Sequence, residues 1–83
     1  MSSSANQAWC LESMRTAKGI SLEQISNDTK LKLRTLRAIE TGDFDALPGG
    51  VYNVSYIRQF ARAIGADESG FVELYRAARP SAA

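Results

Sequence analysis

The stretch TKLKLRTLRAIETG, residues 29–42, combines a dense basic cluster with the apolar spacing of an α-helix. Leu36 and Ile39 are three positions apart, which places them on one helical face. Gly42 stands where a helix commonly ends, because glycine readily adopts the left-handed conformation that follows a last turn. We therefore predict a short helix over about residues 32–41. The basic residues in and before it are Lys30, Lys32, Arg34 and Arg37.

The residues just upstream predict a second helix that is joined to this one by a tight turn. Ser21-Leu22-Glu23-Gln24 has the spacing of a capping box, in which the serine hydroxyl accepts from the backbone amide of Gln24. The glutamine side chain then reaches back to the backbone N–H of Ser21. This helix ends near Asp28, and residues 28–30 form the turn. Two helices connected so closely form a helix-turn-helix.

Three more helices are predicted by similar signals, whereas strand signals are weak. The connection at 43–50 is held against the core by Phe44 and Leu47, and Asp67 caps the last helix. Trp9 covers one end of the core, to which three further aromatic residues belong: Phe60, Phe71 and Tyr75. The predicted ranges are about 6–18, 51–64 and 67–79, followed by Gly19, Gly65 and Pro80 respectively. The sequence therefore predicts an all-α fold of five helices.

Length and composition limit the chain to one small globular domain. It has 83 residues, of which 45% are apolar and 23% charged, as in ordinary soluble domains. We place the helix-turn-helix domain at residues 9–78. Residues 1–8 are small and polar, which predicts a frayed or disordered N-terminus, and residues 79–83 resemble the start of a linker.

Several classes of function lack the residues that they need. The chain has no histidine, and Cys10 is its only cysteine, so neither a disulfide within the chain nor a cysteine–histidine zinc site is expected. Pro48-Gly49-Gly50 lacks the lysine and hydroxyl residue of a phosphate-binding loop. We expect no enzyme activity, cofactor, metal or small-molecule ligand. No apolar run approaches a membrane span, so membrane attachment would need an anchor beyond residue 83.

Two resemblances extend this interpretation. Residues 21–42 resemble the helix-turn-helix of the lambda-repressor/Cro family, with Ser21, Leu36 and Gly42 on its capping, core and terminating positions. Residues 11–78 resemble the N-terminal cytoplasmic domain of the RodZ family of bacterial cell-shape proteins. The supporting stretches include LRAIETGDFDALP and YIRQFARAIG, and the most specific part is ETGDFDALPGGVY, which ordinary repressors do not share. These resemblances imply a five-helix lambda-repressor-like fold in the cytoplasm, ahead of a membrane span.

The repressor resemblance implies that duplex DNA is a candidate partner. In that fold the recognition helix would turn Leu33, Arg34 and Ala38 toward base edges, and only the arginine offers hydrogen-bond donors there. Asp43 and Asp45 follow the helix and would repel phosphates. Lys30 occupies the usual turn-glycine position. The candidate DNA-binding residues are Lys30, Lys32, Arg34, Thr35 and Arg37; the alternative is that these charges only solvate a helix face.

The RodZ resemblance implies a protein partner, the actin-like filament protein MreB, bound through aromatic residues of the fourth helix. With Ile57 at the centre of the buried stripe, Tyr56 lies roughly 100° and Tyr52 roughly 140° away. Both tyrosines are then predicted to form one exposed aromatic strip, which is typical of interface anchors. Leu33 and Arg58 complete the candidate protein-binding set. The alternative is that Tyr52, or Tyr56, packs under the preceding loop as core.

The sequence thus favours a non-enzymatic binding module over a catalyst. The leading hypothesis is a RodZ-like cytoplasmic domain that binds an actin-like protein through Tyr52 and Tyr56. The alternative is a DNA-binding transcriptional regulator with the third helix as recognition helix. Net charge is only +1, so in either case a positive surface has to come from residues 30–37.

Overall fold

A computed structural model describes residues 9–78, and within this range the regular structure is entirely helical. The expected all-α fold of five helices with a helix-turn-helix is therefore confirmed. Two short 3₁₀ turns, Phe44–Ala46 and Gly50–Tyr52, lie between the third and fourth helices. The helices are α1 (Leu11–Ala17), α2 (Leu22–Thr29), α3 (Leu33–Thr41), α4 (Asn53–Ala63) and α5 (Glu68–Ala78). The predicted termini, 1–8 and 79–83, lie outside the described residues.

Two helices begin later than the sequence predicted. Trp9 and Cys10 are not helical, and α1 starts at Leu11, because the indole of Trp9 is held across the domain by a contact described below. The fourth helix starts at Asn53, since Gly50–Tyr52 winds into a 3₁₀ turn first. This second shift places Tyr52 at the entrance of α4 and not within it.

The helix ends follow their predicted local signals. The amide of Gln24 donates to the Ser21 hydroxyl at 3.1 Å, and the Ser21 amide donates to the Gln24 side chain at 2.8 Å, which completes the capping box. Gly42 closes α3 with a φ of 76°, and glycine carries no Cβ to oppose that conformation. Lys30 closes α2 with a φ of 66°, and it is the one non-glycine residue of the described range with a positive φ.

The core draws on every helix of the described range, which fixes the helix-turn-helix against α1, α4 and α5. Leu36 and Ile39, the apolar pair of the opening stretch, are completely buried. Phe60, Phe71 and Tyr75 are buried as predicted. Fully buried side chains on the other elements are Leu11, Ile25, Ile57 and Ile64.

An aromatic cluster closes one end of the core. The indole of Trp9 meets the rings of Phe44 and Phe71 edge-on, with centroids 4.9 and 5.4 Å away, and Phe44 meets Tyr75 in the same way at 4.9 Å. The Trp9 Nε1–H donates to the backbone carbonyl of Ile39 at 2.7 Å, so its polar atom is satisfied. The predicted roles of Trp9 and Phe44 are both confirmed.

The connection before α4 is anchored by one buried amide side chain. Asn53 accepts from the backbone N–H of Gly49 at 3.1 Å and donates to the Tyr75 hydroxyl at 3.5 Å. Leu47 of the same connection is buried, as predicted. These contacts fix where the chain enters α4, and with it the position of Tyr52.

Candidate protein-interaction surface

The most exposed large apolar side chains of the described residues are consecutive and stand at the entrance of α4. Val51 is 88% exposed and Tyr52 is 64% exposed. Both belong to the 3₁₀ turn Gly50–Tyr52, whose position is set by the Asn53 anchor. We call Val51 and Tyr52, together with the adjacent ring of Tyr56, the α4 entrance surface. An exposed tyrosine next to a second exposed apolar side chain is the kind of contiguous apolar surface that can mark a binding site, and tyrosine is enriched among residues that dominate binding energy.

Tyr56 is placed differently from the prediction of one exposed aromatic strip. It is half-buried, and its ring lies on the backbone of Gly49: a Cβ built on that glycine would stand 2.4 Å from Tyr56 Cε2. Neither Tyr52 nor Tyr56 makes a ring–ring contact in the described part of the chain. Packing against the preceding loop, which the sequence offered as an alternative for both tyrosines, is adopted by Tyr56 and not by Tyr52. Tyr56 is therefore only partly available to a partner.

The other two candidate protein-binding residues lie on neighbouring elements. Leu33 is the first residue of α3 and is 37% exposed, and α3 packs against α4. Arg58 is half-buried and lies on α4, six residues after Tyr52, and its charge helps to lower the pKa of Glu68. Val51 was not predicted as a site residue, because in a regular helix it would have turned toward a different face.

Glu68 and Arg62 form an exposed ion pair between the end of α4 and the start of α5. The guanidinium donates to the two carboxylate oxygens at 3.0 and 3.1 Å. This hydrogen bonding, with Coulombic attraction added, lowers the pKa of Glu68 and raises the pKa of Arg62. The guanidinium of Arg62 is therefore already paired with a carboxylate at the junction of α4 and α5.

The candidate DNA-binding residues are only partly available. Lys30, Lys32, Arg34 and Arg37 are exposed, in agreement with the basic cluster seen in the sequence. Thr35, in contrast, is 6% exposed and is removed from this set, because its position on α3 faces the interior. Ala38, expected at a base edge, is also buried in the core. Of the three residues expected to read bases, only Leu33 and Arg34 face outward, which does not favour sequence reading.

Comparison with known proteins agrees with this architecture. The family described as "Helix-turn-helix domain" matches residues 10–71, three-quarters of the chain. The chain belongs to this helix-turn-helix family. Within the helix-turn-helix domain, α2 and α3 form the motif, and the turn between them carries Lys30 in the left-handed conformation. The finer likeness to lambda repressors stays a prediction.

Two curated proteins are similar to this helix-turn-helix domain. The cytoskeleton protein RodZ of Streptococcus pneumoniae is 33% identical over 61 residues, which are 74% of this chain and 22% of that protein. The uncharacterized membrane protein YmfM of Bacillus subtilis is 35% identical over 57 residues, 69% of this chain and 20% of that protein. The chain thus covers about a fifth of either relative. No solved structure matches significantly.

Across residues 9–78, none of the helices has the length and apolar character that crossing a bilayer requires. The longest of them, α4 and α5, have 11 residues each. A membrane-spanning helix needs about 20 apolar residues.

Proposed function

We propose that this domain is a non-enzymatic, cytoplasmic protein-interaction module that binds an actin-like cytoskeletal protein, MreB, in bacterial cell-shape control. The similarity to a protein named as cytoskeletal supports the partner class. The similarity to a membrane protein supports a place for the domain within a longer, membrane-anchored chain. The observation that carries the proposal is the exposed pair Val51 and Tyr52 at the entrance of α4.

Exposure of this pair is easiest to understand if a partner covers it. Aromatic residues are enriched among the side chains that dominate binding energy, since they bury a large area at a small cost in conformational entropy. Tyr52 is held in place by the short 3₁₀ turn and the Asn53 anchor, so little order has to be gained on binding. Leu33 and Arg58 form the proposed rim of the interface.

Replacement of Tyr52 by alanine is the direct test of this proposal. We expect the dissociation constant for MreB to rise by about five- to thirtyfold, equivalent to about 1–2 kcal/mol, as for an interface aromatic residue. Isothermal titration calorimetry with the purified chain measures it. Because Tyr52 is exposed, thermal unfolding of the variant should match that of the wild type.

Two controls sharpen the test. Leu74→Ala removes a less exposed apolar side chain, 37% against 64% for Tyr52, from α5 and should leave the dissociation constant unchanged. Tyr56→Ala should weaken binding too. Because it also removes packing from Gly49, the thermal unfolding of this variant has to be measured to separate lost stability from lost binding. If Tyr52→Ala and wild type bind MreB with equal affinity, the proposed surface is wrong.

A further inference from the structure

The four cations of the helix-turn-helix have no counter-ion. Lys30, Lys32, Arg34 and Arg37 are exposed, and none of them takes part in an ion pair within residues 9–78. Three arginines elsewhere in this range are paired with carboxylates: Arg15 with Glu40, Arg62 with Glu68 and Arg76 with Glu73. Six lysine and arginine side chains of residues 9–78 have no ion pair, and four of them lie within residues 30–37; the other two are Lys18 and Arg58.

The same face presents one aliphatic side chain among the cations. At 100° per residue, Arg37 lies between Leu33 and Arg34 on the outward side of α3, within an arc of about 100°. Leu36 and Ile39 occupy the opposite, fully buried side. Lys32 immediately precedes the helix and Lys30 stands in the turn before it. We call Lys30, Lys32, Leu33, Arg34 and Arg37 the basic face.

We propose that the basic face binds the anionic surface of a lipid bilayer, with the cations on headgroup phosphates and Leu33 at the boundary of the acyl chains. The inference rests on the proposed function in one respect, the place of the domain in a longer membrane-anchored chain. Such a tether keeps the domain close to the bilayer, where even weak attraction becomes effective. Clustered lysine and arginine side chains are the usual means of attraction to anionic lipids.

The arrangement suits a lipid surface better than a DNA duplex. Thr35 and Ala38 are buried, so α3 offers bases little beyond the single guanidinium of Arg34. A bilayer requires no matched set of donors, because headgroups rearrange around fixed cations. It also gives the exposed Leu33 an apolar environment that a phosphate backbone does not provide.

Co-sedimentation with lipid vesicles tests the proposal on the purified 83-residue chain. Vesicles of phosphatidylglycerol and phosphatidylcholine, in equal parts, should bind the chain at low salt, and pure phosphatidylcholine should not. Each cation near an anionic surface contributes about a fivefold change in affinity, so Arg34→Ala with Arg37→Ala should weaken binding by about 25-fold. Raising the salt to about 0.5 M should abolish binding, because the Debye length then falls to a few ångströms.

A matched double variant controls for net charge. Arg62→Ala with Arg76→Ala removes the same two charges from the α4–α5 side and should change vesicle binding far less than the α3 pair. Circular dichroism has to show that both double variants are folded. Equal losses in the two variants, or no binding of the wild type to the anionic vesicles, would overturn the proposal.

Two further experiments distinguish membrane binding by the basic face from binding through the α4 entrance surface and from binding to DNA. Tyr52→Ala should retain vesicle binding, so its weakened binding to MreB tests the proposed function alone. Loss of vesicle binding in this variant would assign the membrane contact to the α4 entrance surface and overturn the proposal. A mixed-sequence DNA duplex serves as competitor: displacement of the chain from vesicles by an equal phosphate concentration of duplex would overturn the lipid proposal in favour of nucleic acid.

Discussion

At the scale of single residues, Lys30 is the clearest departure from the conformation that its residue type prefers. A lysine with a φ of 66° brings its Cβ close to the following carbonyl, which costs roughly 1–2 kcal/mol relative to ordinary helical backbone. It is tolerated because its amide still donates to the carbonyl of Ser26, which closes α2, and because the turn must bring α3 back across α2.

This strain leads to a prediction with an unusual sign. In the interior of a helix, glycine in place of alanine lowers the free energy of unfolding by about 1 kcal/mol. At position 30 we expect the reverse: Lys30→Gly should be more stable than Lys30→Ala by about 1 kcal/mol, because glycine alone adopts this φ without strain. Both variants lack the charge, so the comparison isolates the backbone. Urea unfolding measures it, and an alanine variant as stable as the glycine variant would contradict the strained turn.

A second residue-scale prediction concerns acid pH and the exposed pair of Arg62 with Glu68. The pKa of Glu68 is lower in the folded chain than in the unfolded one, chiefly because the guanidinium donates to it. Its stabilising contribution is therefore complete above the unfolded value of about 4.3 and is lost as the pH falls through the lowered folded pKa.

Nuclear magnetic resonance can follow this carboxyl group directly. We expect the side-chain carbon of Glu68 to titrate below the usual range of glutamate, and Arg62→Ala to return it toward that range. A titration of Glu68 that is the same in wild type and in Arg62→Ala would show that the ion pair does not form in solution.

At the scale of elements, a largely buried ion pair connects the first and third helices. Arg15 on α1 donates to the carboxylate of Glu40 on α3, and their side chains are only 14% and 6% exposed. Arg15 also donates to the carbonyl of Ile20 at 2.9 Å, which ties the connection after α1 to the same point. Removing one partner of such a pair leaves the other charge buried without compensation.

A double-mutant cycle tests this link. Glu40→Leu alone should lower the free energy of unfolding by about 3 kcal/mol, since Arg15 is then unpaired. Adding Arg15→Met should restore a large part of that loss, because two apolar side chains of similar volume need no counter-ion. Denaturant midpoints of the four proteins measure the cycle. Strictly additive effects would show that the two residues act independently.

Elements with local signals were predictable from the sequence, and those set by distant contacts were not. Ser21 and Gln24 are three positions apart, and Gly42 directly follows α3, so the start of α2 and the end of α3 could be predicted. Trp9 leaves the helical conformation because of a hydrogen bond to Ile39, 30 residues away, which no local pattern reveals. In the same way, the apolar residues of the core were found, but the pairing of Arg15 with Glu40 was not.

The candidate site was less predictable than the helices, because contacts outside the regular helical pattern determine its exposure. An ideal helix from residue 51 would place Tyr52 and Tyr56 on one exposed strip. In the structure, Tyr52 belongs to the 3₁₀ turn Gly50–Tyr52, and the ring of Tyr56 packs on the backbone of Gly49, which carries no side chain. Tyr52 is left open and Tyr56 is half covered, and Val51 is added to the surface. Thr35 was misplaced because its polar side chain suggested a surface position, although at 100° per residue it lies about 40° from the buried Ile39 on the inner side of α3.

At the scale of the whole molecule, the domain offers two surfaces of different chemistry. The α4 entrance surface is apolar and aromatic, with Val51 and Tyr52 open to a partner. The basic face on the helix-turn-helix carries four unpaired cations. We propose the first surface for the cytoskeletal partner and the second for the bilayer, with Leu33 at the boundary that they share, so that a membrane-anchored domain can hold a filament close to the membrane. The experiments above test the cytoskeletal contact and the bilayer contact independently.

Contact between the entrance of α4 and an actin-like protein can be followed by an amide NMR titration of the isotope-labelled chain with unpolymerised MreB at physiological salt. We predict that line broadening and shifts begin at residues 51–56 and reach Leu33 and Arg58 at higher occupancy. Shifts confined to residues 30–37, or an unchanged spectrum at a saturating concentration of MreB, would contradict it.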